Sequence, residues 1–197
     1  MSSVPPPADD KARLIVAGAA KVFAEKGYHH ASMRDIARET GISLAGMYYY
    51  FASKEEMLFS IQRWCFDEVL DRLRLRLEGA TDPVAQLRVF IHNHVEFFIA
   101  NVREMKVLSH ESESVTGEHR DVIQARKRDY FHALTEILSR LPDAGGSETE
   151  VRRNALSIFG MVNWIYTWYD PDRDGAPGEL ADHMCTLVWL GLRGPRT

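Results

Sequence analysis

The chain has 197 residues, 45% of them apolar and 26% charged, with a net charge of −4. That size supports a sizeable core in one or two domains, and the balance is that of an ordinary globular protein. It excludes a fibrous or low-complexity chain, and two cysteines without metal spacing exclude a disulfide framework.

No run of about 18 apolar residues is present, and the N-terminal MSSVPPPADD lacks a basic or apolar leader pattern. A cytoplasmic protein with no membrane partner is therefore expected. Residues 1–60 carry seven Lys/Arg against seven Asp/Glu, so the acidic excess lies entirely in residues 61–197. Composition alone does not point to nucleic acid.

Residues 1–8, with Pro5-Pro6-Pro7, read as an extended or disordered tail. Asp9 or Asp10 can cap a first helix that runs through Lys26, turns Ile15, Ala19, Val22 and Phe23 inward, and stops at Gly27. Ser32 with Asp35 forms a capping box for a second helix, which Gly41 ends. Ser43 caps a third, Leu44 to Phe51, with Met47 and Phe51 on its inner face. Ser53 with Glu56 opens a fourth at once. This is a helix-turn-helix with flanking helices, an arrangement that can place a short exposed helix in a DNA major groove. An ordinary helical hairpin would share the caps. It would not explain Tyr48, Tyr49 and Tyr50, which cannot all be buried on so short a helix.

The fourth helix carries an apolar stripe from Met57 through Trp64, Cys65 and Leu73 to Leu77, roughly seven turns. Asp82-Pro83 starts a fifth, reaching about Asn101 through Phe90, His94 and Phe98. His92 and His94 are two apart and diverge on a helix, so they cannot chelate one metal; His94 reads as a core histidine. Arg103 to Glu113 forms a short helix, Ser114 to Gly117 a break, and Glu118 to Leu141 a long helix bearing Arg126, Lys127 and Arg128. These three read as a solvated face. Pro142 to Gly146 is a linker. Glu148 to Tyr169 is apolar almost all round from Ala155, residues 170–178 form a polar break, and Leu180 to Leu192 is apolar again. Helices without a polar face seek a partner, so the last two are expected to form a four-helix interface in a homodimer.

From Gly27 the chain reads Gly27, Tyr28, Ala31, Ser32, Arg34, Asp35, Ile36, Ala37, then Gly41, Ile42, Ser43, then Met47, Tyr48, Tyr50, Phe51, Ser53, Lys54 and Glu55. This resembles the signature of TetR-family transcriptional regulators over about the first third of the chain. Ala45 stands where many members have Gly, and Tyr50 where many have His. The resemblance implies an all-α protein: a three-helix helix-turn-helix DNA-binding domain at 9–53, followed by a helical ligand-binding and dimerisation domain at 54–197. Asn163, Trp164, Trp168, Tyr169, Asp170 and Pro171, with the later Gly191 and Leu192, further resemble a subgroup that senses acyl-CoA thioesters. Aromatic packing in a dimer explains the same tryptophans.

The expected function is a repressor that leaves a palindromic double-stranded operator when a hydrophobic effector binds, with an acyl-CoA as one such effector. Ser32, Arg34, Tyr48, Tyr49 and Lys54 would contact phosphates, while Ser43, Leu44 and Gly46 would approach base edges. An apolar pocket would draw on Trp64, Phe98, Leu108, Phe131, Asn163, Trp164 and Trp168, with Arg103, Lys106, Arg126 and Lys127 as basic groups at its mouth. No G-x-S-x-G, P-loop, H-E-x-x-H or paired-cysteine pattern occurs, so neither catalysis nor a cofactor or metal is expected. A helical-bundle adaptor is the alternative, and it leaves the tyrosine face without a reason.

Overall fold

The computed structural model describes residues 10–111, 113–142 and 146–193. The expected N-terminal tail and most of the Pro142–Gly146 linker lie outside them. The described residues form ten α-helices and a short 3-10 turn, with no strand: α1 (Asp10–Lys26), α2 (Met33–Thr40), α3 (Leu44–Tyr50), α4 (Lys54–Leu77), α5 (Pro83–Ala100), α6 (Val102–His110), α7 (Gly117–Ser139), α8 (Glu148–Val162), α9 (Pro171–Asp174) and α10 (Pro177–Leu192). No described helix is long and apolar enough to cross a membrane.

The helices pack as two compact units. Residues up to 67 join residues 101–126 in the first; residues 68–100 and 127–197 make the second. Helices α4 and α7 each contribute to both.

The first unit is built on α1, which lies against α2 and α6. Ile15, Ala19 and Phe23 of α1 are buried, as are Ile36 of α2, Met47 of α3, Met57, Leu58 and Ile61 of α4, and Met105 of α6. A glycine inside a helix costs about 1 kcal/mol relative to alanine. Gly18 has a packing reason: a Cβ there would stand 2.4 Å from the Thr40 methyl at the end of α2. Only a bare Cα lets these helices approach so closely.

In the second unit α10 runs along α5, with Leu87, Phe90, Ile91 and Val95 of α5 buried along with Ala181 and Met184 of α10. Polar contacts fasten its rims: Arg76 to Glu96 at 2.6 Å, and both Arg88 and His92 to Asp182 at 2.5 and 2.8 Å.

The C-terminal helices depart from expectation. The helix expected to reach Tyr169 stops at Val162, and Ile165–Thr167 form a 3-10 turn. The Thr167 hydroxyl takes the Trp164 carbonyl at 2.7 Å, offering this aromatic and β-branched run an alternative to the α-ladder. Residues 170–178, expected as a break, hold the one-turn α9, capped by Asp170 onto the Asp172 N–H with Pro171 at its first position. Helix α10 starts at Pro177, three residues early, because the Glu179 carboxylate reaches back to the Ala176 N–H at 2.9 Å.

Candidate functional site

The helix-turn-helix is assembled by its caps. Ser32 Oγ accepts the Asp35 N–H at 3.2 Å, while the Asp35 carboxylate accepts the Ser32 N–H at 3.0 Å. Lys26 donates to that carboxylate at 2.6 Å and, with the Ser32 groups, holds the acid well below the usual carboxylate range. Gly41 closes α2 at φ 70°, a backbone that side-chain-bearing residues avoid. The Thr40 hydroxyl then bonds the Ile36 carbonyl and lies 3.9 Å from Met47 Sδ, linking the two helices. Ser43 Oγ caps α3 through the Gly46 N–H at 3.1 Å.

What α3 shows to solvent is aromatic. Tyr49 is 83% exposed and Tyr48 52%, while Met47 is fully buried and Phe51 follows as the buried C-cap. Ser43 is exposed and Leu44 and Gly46 are half-buried, so all three reach the same end of α3. A Cβ on Gly46 would meet Ile42 Cγ2 at 3.1 Å and Ser43 Oγ at 3.2 Å, which keeps the start of α3 slim. Ser32 and Arg34 are exposed at the start of α2. Hydroxyls, a guanidinium and two capped helix starts are the groups that position a duplex through its phosphates.

Lys54 is not among them. Its ammonium donates to the carbonyls of Tyr28, His29 and Ala31 at 2.8, 3.3 and 3.1 Å and sits 4.4 Å from the Tyr28 ring centroid. It fastens the turn between α1 and α2 to the start of α4 instead of facing phosphate. The expected Ser53–Glu56 box is also shifted. Ser53 Oγ accepts the Glu56 N–H, but the Glu56 carboxylate accepts from Ala52.

Sequence reading missed the anchoring of the α6–α7 junction. Both the N–H and the hydroxyl of Thr116 donate to Glu55 Oε1, at 2.9 and 2.8 Å, and hold that acid's pKa down. Gln62 Nε2 donates to the Glu111 carbonyl at 2.7 Å, and His119 stacks on Phe59 at 4.0 Å. These links span about 50 to 60 residues of sequence, and no local pattern announces them.

In the second unit a polar knot sits among aromatic rings. His94 is 1% exposed, stacks on Phe98 at 3.9 Å and places Nδ1 3.1 Å from the Tyr130 hydroxyl. Phe90 stacks on Tyr130 at 5.0 Å, and Phe159 lies 6.0 Å from His94. Burial drives the imidazole pKa down to about 3, against a weak opposing pull from the Val162 carbonyl, and drives the Tyr130 phenol up. His94 Nε2 and Asn93 Oδ1 make no well-formed hydrogen bond, although Asn93 Nδ2 donates to the Val69 carbonyl at 3.0 Å. With Nε2 protonated the ring meets only the weak Val162 acceptor, and with Nδ1 protonated Nε2 has no donor in a dry core, so a polar ligand atom at Nε2 would strengthen its hydrogen bonding.

The other expected pocket residues fall in several places. Phe98 is buried beside His94, and half-buried Phe131 lies 6.1 Å from Phe159. Trp64 is buried and Leu108 half-buried, both in the first unit, while Asn163 forms the C-cap of α8. Trp164 and Trp168, with α8 ended before them, are about half exposed. Arg103 and Lys106 are exposed on α6. Arg126 is not a pocket-mouth cation: its Nε pairs with Asp67 at 2.8 Å. Lys127 lines an open cavity of about 460 Å3 with Phe131 and Arg152.

Comparison with known proteins agrees with this geometry. Residues 15–61 match the family model described as bacterial regulatory proteins, tetR family, and residues 80–192 match the tetracyclin repressor-like C-terminal domain. The transcriptional repressor KstR2 of Mycolicibacterium smegmatis is 36% identical over 177 residues, covering 88% of this chain and 86% of that protein. Among solved structures, a TetR-family regulator from Bordetella parapertussis superposes with a TM-score of 0.83 at 29% identity, covering 88% of this chain and 91% of the other. AibR in complex with isovaleryl coenzyme A and operator DNA superposes with a TM-score of 0.80 at 30% identity, covering 90% and 97%.

Proposed function

The chain belongs to the TetR family of DNA-binding transcriptional regulators, and from that premise we propose that it is a homodimeric repressor released from a palindromic operator by a hydrophobic acyl thioester. In this reading residues 9–53 read DNA and residues 54–197 bind effector and partner. Ser32, Arg34, Tyr48 and Tyr49 hold phosphates, while Ser43, Leu44 and Gly46 approach base edges. Leu44 offers only apolar contact, such as to a thymine methyl. The second copy is needed because residues 1–60 carry no net positive charge, and one neutral head neutralises few phosphates. The exposed apolar side chains of Leu156, Trp164, Trp168, Leu187 and Leu190 supply a face for that copy.

One observation carries the effector half of the proposal. The core of the second unit holds His94 Nε2 without a well-formed hydrogen bond among Phe90, Phe98, Tyr130 and Phe159. A chain that enters between these rings and presents a carbonyl to His94 gains both apolar burial and the missing hydrogen bond. Such a ligand favours the conformers that accommodate it, and the operator favours those with matching head spacing, so each opposes the other. Isovaleryl coenzyme A bound to the similar AibR supports a thioester as the class.

The test is a gel shift on the DNA upstream of the coding sequence, titrated with isovaleryl and long-chain acyl-coenzyme A. Release of a sequence-specific complex by at least one thioester, lost in His94→Phe, is expected. A complex unchanged by all of them at saturating concentration rejects the effector class.

A further inference from the structure

Helices α7 and α8 form an open cavity of about 460 Å3 lined by Lys127, Arg128, Phe131, His132, Thr135 and Arg152. Its size is that of a small-molecule site. Three cations line it and, among the described residues, no carboxylate does, in a chain whose acids outnumber its bases by four. Arg128 and Arg152 make no ion pair among the described residues, whereas neighbouring Arg126 is paired with Asp67. Holding the Arg128 and Arg152 guanidinium groups on one cavity without an ion-pair partner among the described residues is unfavourable, and a multiply charged anion removes that cost. The Arg152 guanidinium lies over the Phe131 ring, 5.9 Å from its centroid, so the ring backs a flat cation against whose outer face an aromatic base can stack.

We propose that this cavity binds the diphosphate and base of a nucleotide carrier: Lys127 and Arg128 hold the phosphates, and the Arg152 guanidinium, backed by Phe131, carries the base. The proposal rests on the thioester reading above, for which it names the anionic end of the effector. Phe131 is also the step between the two ends of such a ligand, since it lies 6.1 Å from Phe159, which in turn lies 6.0 Å from His94. The flexible arm that joins a nucleotide held outside to its thioester would follow these rings toward the buried imidazole.

ADP is the probe, because it carries base and diphosphate without any acyl chain. Calorimetric titration of the full chain at low salt should show saturable ADP binding, at least tenfold weaker in the Arg128→Glu/Arg152→Glu double variant. Phe131→Leu, checked for an unchanged unfolding transition, should weaken ADP several-fold and leave inorganic pyrophosphate unaffected. No saturable binding, or binding indifferent to the charge reversal, overturns the proposal. So does short duplex DNA that displaces ADP from this site, which would assign the cations to nucleic acid. If ADP binds as described while no thioester moves the operator, the effector reading alone falls. If a thioester releases operator equally from wild type and the double variant, this proposal falls and the effector reading stands.

Discussion

His94 gives the most quantitative prediction. Its ring is fully buried, and burial lowers its pKa from 6.5 to about 3, so the folded chain keeps it neutral where the unfolded chain protonates it. Because the folded value is depressed, the stabilisation is complete above pH 6.5 and declines as pH falls toward 3. At pH 5.5 the unfolded imidazole is protonated about ten to one, which favours unfolding by about 1.4 kcal/mol relative to pH 7.5. Over the full window the loss approaches about 5 kcal/mol, comparable to the whole stability of many domains. Urea unfolding of wild type and His94→Phe at pH 7.5, 6.5 and 5.5, at one protein concentration, isolates this contribution. The substitution leaves the Tyr130 hydroxyl without the imidazole, a constant offset, because the phenol does not titrate in this range. Subtracting the two curves removes the other histidines. The wild-type curve should fall about 1.4 kcal/mol further than the variant curve between pH 7.5 and 5.5. Parallel curves would refute a buried neutral imidazole and, with it, the claim that His94 waits in a dry core for a hydrogen-bonding ligand.

Other perturbations separate the roles of neighbouring residues. Gly18→Ala should cost about 1–3 kcal/mol by driving a methyl into Thr40, seen as a lower urea midpoint; an unchanged or raised midpoint would mean that α1 and α2 do not touch so closely. Lys54→Met should lower stability by about 1.5–3 kcal/mol while leaving the salt dependence of DNA binding unaltered. A shallower salt slope would instead place its ammonium on phosphate. Tyr48→Ala should weaken operator and random DNA alike, by about tenfold, whereas Leu44→Val should change the ratio between operators that differ at one thymine. Equal losses for both variants on both DNAs would overturn that division. Leu187→Glu with Leu190→Glu should yield a monomer by sedimentation and abolish operator binding, and a dimer that survives would put the interface elsewhere.

The reading head was legible because its information is local. Ser32, Asp35, Gly41 and Ser43 act within four residues of themselves, through capping bonds and one left-handed backbone, so spacing along the chain is enough to place them. Tyr48 and Tyr49 could be assigned to the outside by counting: so short a helix has room for Met47 inside and little else. The same locality misled at Lys54. Its neighbours in sequence suggest a phosphate contact, but its partners are carbonyls more than twenty residues away, brought to it by the turn after α1. Arg126 is the same case, a cation in a basic run that is matched by a distant aspartate.

From the sequence alone came the helix-turn-helix, its caps, the aromatic face of α3 and the surplus of apolar side chains toward the C-terminus, all governed by period, propensity and short-range hydrogen bonds. Tertiary structure alone decided which charges remain unmatched and which polar atoms are sealed off. It left Arg128 and Arg152 without carboxylates among the described residues, tied Glu55 to Thr116, and buried His94 against Tyr130 and Phe98. The reason is physical: a side chain's charge state and hydrogen-bonding satisfaction depend on what lies within a few ångströms in space, and in a helical fold most of that comes from other turns and other helices.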